Sequence, residues 1–197
     1  MSDQNYTRSE ILENLSHIKT VTNYQTEYCN QTSIYFIVWG IIWMIAYPMP
    51  SFDLSAFLIG VSWFTLGIIG WAITLTIYMK QGKTDPLPLF LRAQLRYAWI
   101  GLFIILGVFL FLIYSNLLPY TFENILFYIV LVVSIMYILL GIVLTKEIFF
   151  MGVWLSVLGM IAFLFFPNVM NIIFAVIGGG SLVLTGLILK RKGHGNE

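Results

Sequence analysis

Polar residues dominate the first 32 positions and apolar ones nearly everything after them, interrupted at short intervals by a few Asp, Glu, Lys and Arg. Between those interruptions lie six stretches without Asp, Glu, Lys, Arg or His: residues 33–49, 55–79, 97–118, 124–145, 148–166 and 170–189. A helix rising about 1.5 Å per residue needs roughly 20 apolar residues to cross about 30 Å of hydrocarbon. None of the stretches alternates with the period of two that a strand would show, and inside lipid only a helix satisfies its backbone groups within one segment. The pattern predicts an all-α, polytopic integral membrane protein with six transmembrane helices, the short first one standing nearly upright.

Composition supports the same solvent. Hydrophobic residues make up 59% of the 197 and charged residues 10%, against about 25% charged in an ordinary soluble domain. A single cysteine, Cys29, excludes a disulfide framework, and a net charge of +1 gives no general attraction to nucleic acid.

Charge also predicts orientation. The connections after the first, third and fifth stretches carry Asp53, Glu123 and no charge, whereas all ten basic residues fall on the other side. These are Arg8 and Lys19, then Lys80, Lys83, Arg92 and Arg96, then Lys146, and finally Lys190, Arg191 and Lys192. Under the positive-inside rule that side is cytoplasmic, so both termini are expected there, in the cell membrane. Residues 190–197 then form a basic cytoplasmic tail.

The polar segment 1–32 lacks the apolar core of a cleaved signal peptide. Thr7 and Glu10 read as a capping box, followed at helical spacing by Ile11, Leu12, Leu15 and Ile18. A short amphipathic helix is expected, docked on the cytoplasmic face of the protein. In the loop 80–96, Asp85 and Pro86 read as a helix cap and first turn, leading into the third span with Arg92 and Arg96 at headgroup level. Cys29 is expected as a plain reduced thiol, and the sequons at Asn5, Asn14 and Asn30 as unmodified on the cytoplasmic side.

Small residues four apart let helices approach closely in lipid. They occur as Gly70 with Thr74, Gly141 with Thr145, Gly152 with Ser156, Ala175 with Gly179, and Ser181 with Thr185. Ordinary bundle packing is their expected role, with homo-oligomer contact as the alternative. A weak internal echo relates the segments around Gly141 and Gly186, and those around Gly101 and Gly152, at spacings of 45 and 51 residues.

Catalytic inventories mostly fail. Both histidines, His17 and His194, lie outside the spans, no span contains paired carboxylates, and Glu147 has Lys146 beside it to neutralise it. Gly82-Lys83-Thr84 ends like a phosphate loop but lacks its earlier glycine and its strand. No catalytic residue, metal site or cofactor is expected. Proton-coupled transport is disfavoured, because such proteins keep a titratable side chain at depth.

Two features carry the candidate chemistry. Gly178-Gly179-Gly180-Ser181 sits mid-span, where each glycine costs a helix about 1 kcal/mol. It reads either as a smooth packing groove or as an unwound segment whose freed backbone groups bind a small solute. Tyr35, Trp39, Trp43 and Tyr47 share one helix face and could line a cavity for a flat or cationic ligand, or simply pack. The leading functional expectation is a transport protein, either a passive or partner-driven permease or the membrane subunit of a transport system for a small solute. The rival is a non-transporting adaptor, regulatory or immunity-type protein. Expected partners are the bilayer, a second copy or another membrane subunit, and a cytoplasmic protein at the N-terminal helix.

Overall fold

The computed structural model describes residues 29, 31–52, 54–81, 89–115, 117 and 121–194. Every regular element among them is helical. Helix α1 covers residues 31–46 and is followed by a 3₁₀ turn at Met49–Ser51. Then come α2 (Ala56–Gln81), α3 (Leu89–Tyr114), α4 (Phe122–Val143) and α5 (Lys146–Phe165). The last helical rod is continuous from α6 (Met170–Ile173) through a π-helical stretch, π1 (Phe174–Gly179), into α7 (Gly180–His194). The amphipathic helix expected near residues 7–19, the loop residues 82–88 and the tail beyond His194 lie outside the described residues.

Five of these helical segments are long and apolar enough to cross a membrane: Gln31–Ser51, Ala56–Lys80, Asn124–Ile142, Lys146–Phe165 and Pro167–Gly193. The sixth expected span falls in α3, where the apolar stretch Phe103–Tyr114 is shorter than a bilayer requires on its own. The interfacial lead-in carrying Arg92 and Arg96 is continuous with that stretch in one 26-residue helix.

Two boundaries differ from the sequence expectation. The reading placed Thr145 at the end of the fourth span, in helical register with Gly141. In the structure α4 ends at Val143, and Thr145 is the N-cap of α5 with extended backbone, φ −150° and ψ 147°. The fourth and fifth helices therefore meet in a two-residue turn, and Lys146 begins α5.

Contacts fix the direction of each helix. On α1, Phe36 packs on Tyr137 of α4 and the Tyr47 hydroxyl lies 3.5 Å from the Leu126 carbonyl, so α1 and α4 are antiparallel. Trp39 donates from Nε1 to Thr74 Oγ1 at 3.2 Å while Tyr47 meets Trp63, which makes α2 antiparallel to α1. Gly152 faces Ser134 and Ile138, Gly159 faces Val130, and Gly141 faces Phe149, so α4 and α5 form an antiparallel hairpin. Glu147 pairs with Lys192 and Thr185 with Met151, which sets α5 against α7 in the same way.

Those directions bring Cys29, the ends of α2 and α4, the start of α5 and the end of α7 to one end of the bundle. Lys80, Lys146, Lys190, Arg191 and Lys192 gather there.

The core is apolar and dense. Val130, Leu155, Ala162, Phe174, Leu182 and Leu189 have no exposed surface. α2 stands outside it: 6% of its apolar stretch is buried, against 39–44% for the other four spanning helices.

Candidate functional site

The site foreseen around residues 178–181 can be built from π1. A π turn closes i to i+5 hydrogen bonds and inserts one extra residue, and such turns recur at functional positions. Here it turns Phe174, Ala175, Gly178 and Gly179 to the buried side together. The backbone stays helical throughout, and Ser181 returns its hydroxyl to the Gly178 carbonyl at 2.8 Å.

The three glycines do three different things. A methyl group at Gly179 would stand 2.8 Å from the Gly40 carbonyl oxygen and 3.0 Å from the Met44 nitrogen, both backbone atoms of α1. At Gly178 it would meet the Trp43 ring and Leu155 at ordinary van der Waals distance, 3.7 and 3.8 Å. At Gly180 it would meet nothing within 4 Å. Gly179 is thus where two backbones touch, and the contact is mutual, because a methyl at Gly40 would press on the Gly179 carbonyl and the Val183 nitrogen.

One heptad further along, a methyl at Gly186 would lie 2.7 Å from the Ser33 carbonyl. Gly179 and Gly186 on one helix, with Ser33 and Gly40 on the other, form an antiparallel seam of small residues. Gly40 and Gly186 were not singled out from sequence. The available signal was the spacing of seven within each helix, which a search for small residues four apart passes over.

The aromatic stripe of α1 is divided between two environments. Trp43 and Tyr47 are buried, whereas Tyr35 and Trp39 are partly covered. Trp39 packs edge-on against Trp71 and over Gly70, and its indole N–H reaches Thr74, so Gly70 and Thr74 receive α1 as a pair. Tyr47 sits among Trp43, Trp63 and Phe174 with ring centroids 5.0, 5.0 and 5.4 Å away. In the same half of the bundle, Trp63 Nε1 and Asn171 Oδ1 are buried without a hydrogen-bond partner. The neighbourhood of π1 therefore brings Trp43 and Gly178 together as foreseen, and adds Tyr47, Trp63, Phe174 and Asn171. Its chemistry is aromatic faces, one donor and one acceptor. None of these residues carries a charge that could relay protons.

At the opposite end of the bundle a polar cluster gathers. Glu147 bonds Lys192 Nζ through Oε1 at 3.0 Å, not the adjacent Lys146 as the sequence suggested. Neighbours along a helix point to different faces, whereas α7 brings Lys192 directly over the start of α5. Cys29, 1% exposed, lies near this pair; burial pushes its thiol pKa up, opposed by Lys192 and assisted by Glu147. The cysteine is accordingly held as a neutral thiol.

The remaining positions of interest are structural. Gly152 abuts Ser134 and Ile138 of α4, Ser156 is partly covered, and Ala175 is buried. Gly101 meets nothing within 4 Å, so it has no packing role in common with Gly152, its counterpart in the internal echo.

No family model, curated protein or solved structure matches the chain. What it does must be read from its own geometry.

Proposed function

We propose that this is a six-span protein of the cell membrane with both termini cytoplasmic, and that it serves a transport system as a membrane subunit instead of working as a lone permease. The count of six is supported by helix direction. α2 ends where the lysines gather and α4 starts at the far end, so α3 has to carry the chain back across. At about 1.5 Å per residue a helix of its length is long enough to do so. The lysine-rich end fits a cytoplasmic position.

The observation that supports a subunit role is α2. Its long apolar flank is almost wholly uncovered, and Gly60 and Gly67, seven apart on it, have nothing within 4 Å of an added methyl. Each bare glycine costs the helix about 1 kcal/mol, which close contact with another membrane helix would offset. The core, meanwhile, is occupied by large apolar side chains and leaves the conducting path to be shared with a partner.

The test uses Gly67→Cys in a Cys29→Ser background. In native membranes it should cross-link to another membrane protein, and solute flux in liposomes should require the recovered assembly. Flux by the purified chain alone, with no cross-link, would contradict the proposal. A cross-linked assembly that moves no solute would favour the adaptor reading.

A further inference from the structure

A cleft of about 540 Å³ opens at the lysine-rich end between α4, α5 and α7, lined by Gly141, Ile142, Thr145, Lys146, Phe150 and Lys192 among others. We infer that it holds the phosphate of a membrane phospholipid headgroup, with an acyl chain lying along Ile142 and Phe150. The inference rests on the bilayer reading above, which puts this end at headgroup depth.

Three independent features converge on that ligand. First, the cleft contains the start of α5, a 20-residue helix whose first N–H groups have no carbonyl partner within it and carry partial positive charge. Thr145 occupies the N-cap position there, yet its side chain makes no capping bond.

Second, Thr145 is 8% exposed and its Oγ1 is buried without a hydrogen-bond partner. A buried hydroxyl left unpaired is costly, and a phosphate oxygen would accept from it.

Third, the walls are of two kinds. Lys146 and Lys192 supply charge at the mouth; Lys192 spends one N–H on Glu147 and keeps others to donate. With Glu147 counted, the three formal charges still leave the mouth positive. Ile142 and Phe150, 69% and 64% exposed, continue the cleft outward as an apolar surface. A basic pocket between helix ends above an apolar wall matches a phosphate ester joined to a hydrocarbon chain better than it matches a soluble anion.

Binding of dihexanoyl phosphatidylglycerol to the full chain in detergent tests this, beside dihexanoylglycerol, which lacks the phosphate, and glycerol 3-phosphate, which lacks the chains. The phospholipid should bind tightest of the three. Lys146→Gln, at an exposed position, should weaken it about fivefold, the usual worth of one lysine at a membrane surface. Thr145→Val should weaken it as well, whereas Thr145→Ser should restore it, a pattern that simple damage to the turn would not produce. Thermal unfolding reports whether each variant folds. Equal binding of dihexanoylglycerol, glycerol 3-phosphate binding as tightly as the lipid, or folded variants with unchanged affinity would overturn the inference. Carbonate extraction of the chain from membranes would instead overturn the bilayer reading, so the two failures are distinguishable.

Discussion

Gly179→Ala should destabilise the protein by about 1–3 kcal/mol, the usual cost of forcing an extra methyl into a filled interior, while Gly180→Ala one residue away should leave it unchanged or stabilise it. The asymmetry follows from what each position faces. At Gly179 the added carbon meets the Gly40 carbonyl and the Met44 nitrogen, and backbone cannot rotate aside as a side-chain tip can. At Gly180 there is open space, so the substitution keeps the benefit of about 1 kcal/mol in helix propensity that alanine has over glycine. Gly178→Ala, in ordinary contact with Trp43, belongs between them. Unfolding in mixed micelles with increasing SDS measures all three. Equal effects at the three positions would mean that the run of glycines is not a seam for α1, and would reopen the solute-binding reading of residues 178–181.

A larger loss is expected from Gly141→Val. An alanine methyl there already overlaps the backbone nitrogen and Cα of Phe149, and valine adds two branches to the same point. Since Gly152 and Gly159 hold the rest of the α4–α5 hairpin at similarly close range, the strain has no easy outlet along it. We expect the folded fraction recovered in detergent to fall severalfold, in line with a cost at or above the upper end of about 3 kcal/mol for overpacking. Gly101→Val, with nothing within 4 Å, serves as the control and should be recovered as the wild type is. Size-exclusion yield and protease resistance provide the readout. Equal recovery of both variants would show that α4 and α5 do not approach at Gly141.

These two expectations mark where sequence was informative and where it stopped. The apolar stretches were legible because hydrocarbon imposes one requirement, length without charge, that can be counted residue by residue. Gly70 with Thr74, and Gly179 itself, were legible for a related reason: small residues one turn apart have few uses other than close approach.

Gly40 was not legible, since a single small residue in a helix acquires meaning only when another helix arrives opposite it. The pairing of Glu147 with Lys192 was hidden in the same way. The two are 45 residues apart in sequence, and only the antiparallel packing of α5 on α7 joins them, while the nearer Lys146 points elsewhere. The α4–α5 boundary was misplaced because residues 143–145 are uncharged, so hydropathy sees no break where the extended backbone of Thr145 makes one. The π turn left no sequence trace beyond its glycines. Tyr47 was visible as part of an aromatic stripe, but its position against Trp63, Phe174 and Asn171 was not, because those contacts come from three separate helices.

The most direct test is the sidedness of the two connections that flank α3, with single cysteines placed at Gly82 and at Asn116 in a Cys29→Ser background. If α3 crosses the bilayer between the lysine-rich end and the start of α4, a membrane-impermeant maleimide added to intact cells should label Asn116→Cys and leave Gly82→Cys unmodified until the membrane is opened. Labelling of both from the same side would contradict the crossing of α3, and with it the six-span bundle whose two termini share the cytoplasm.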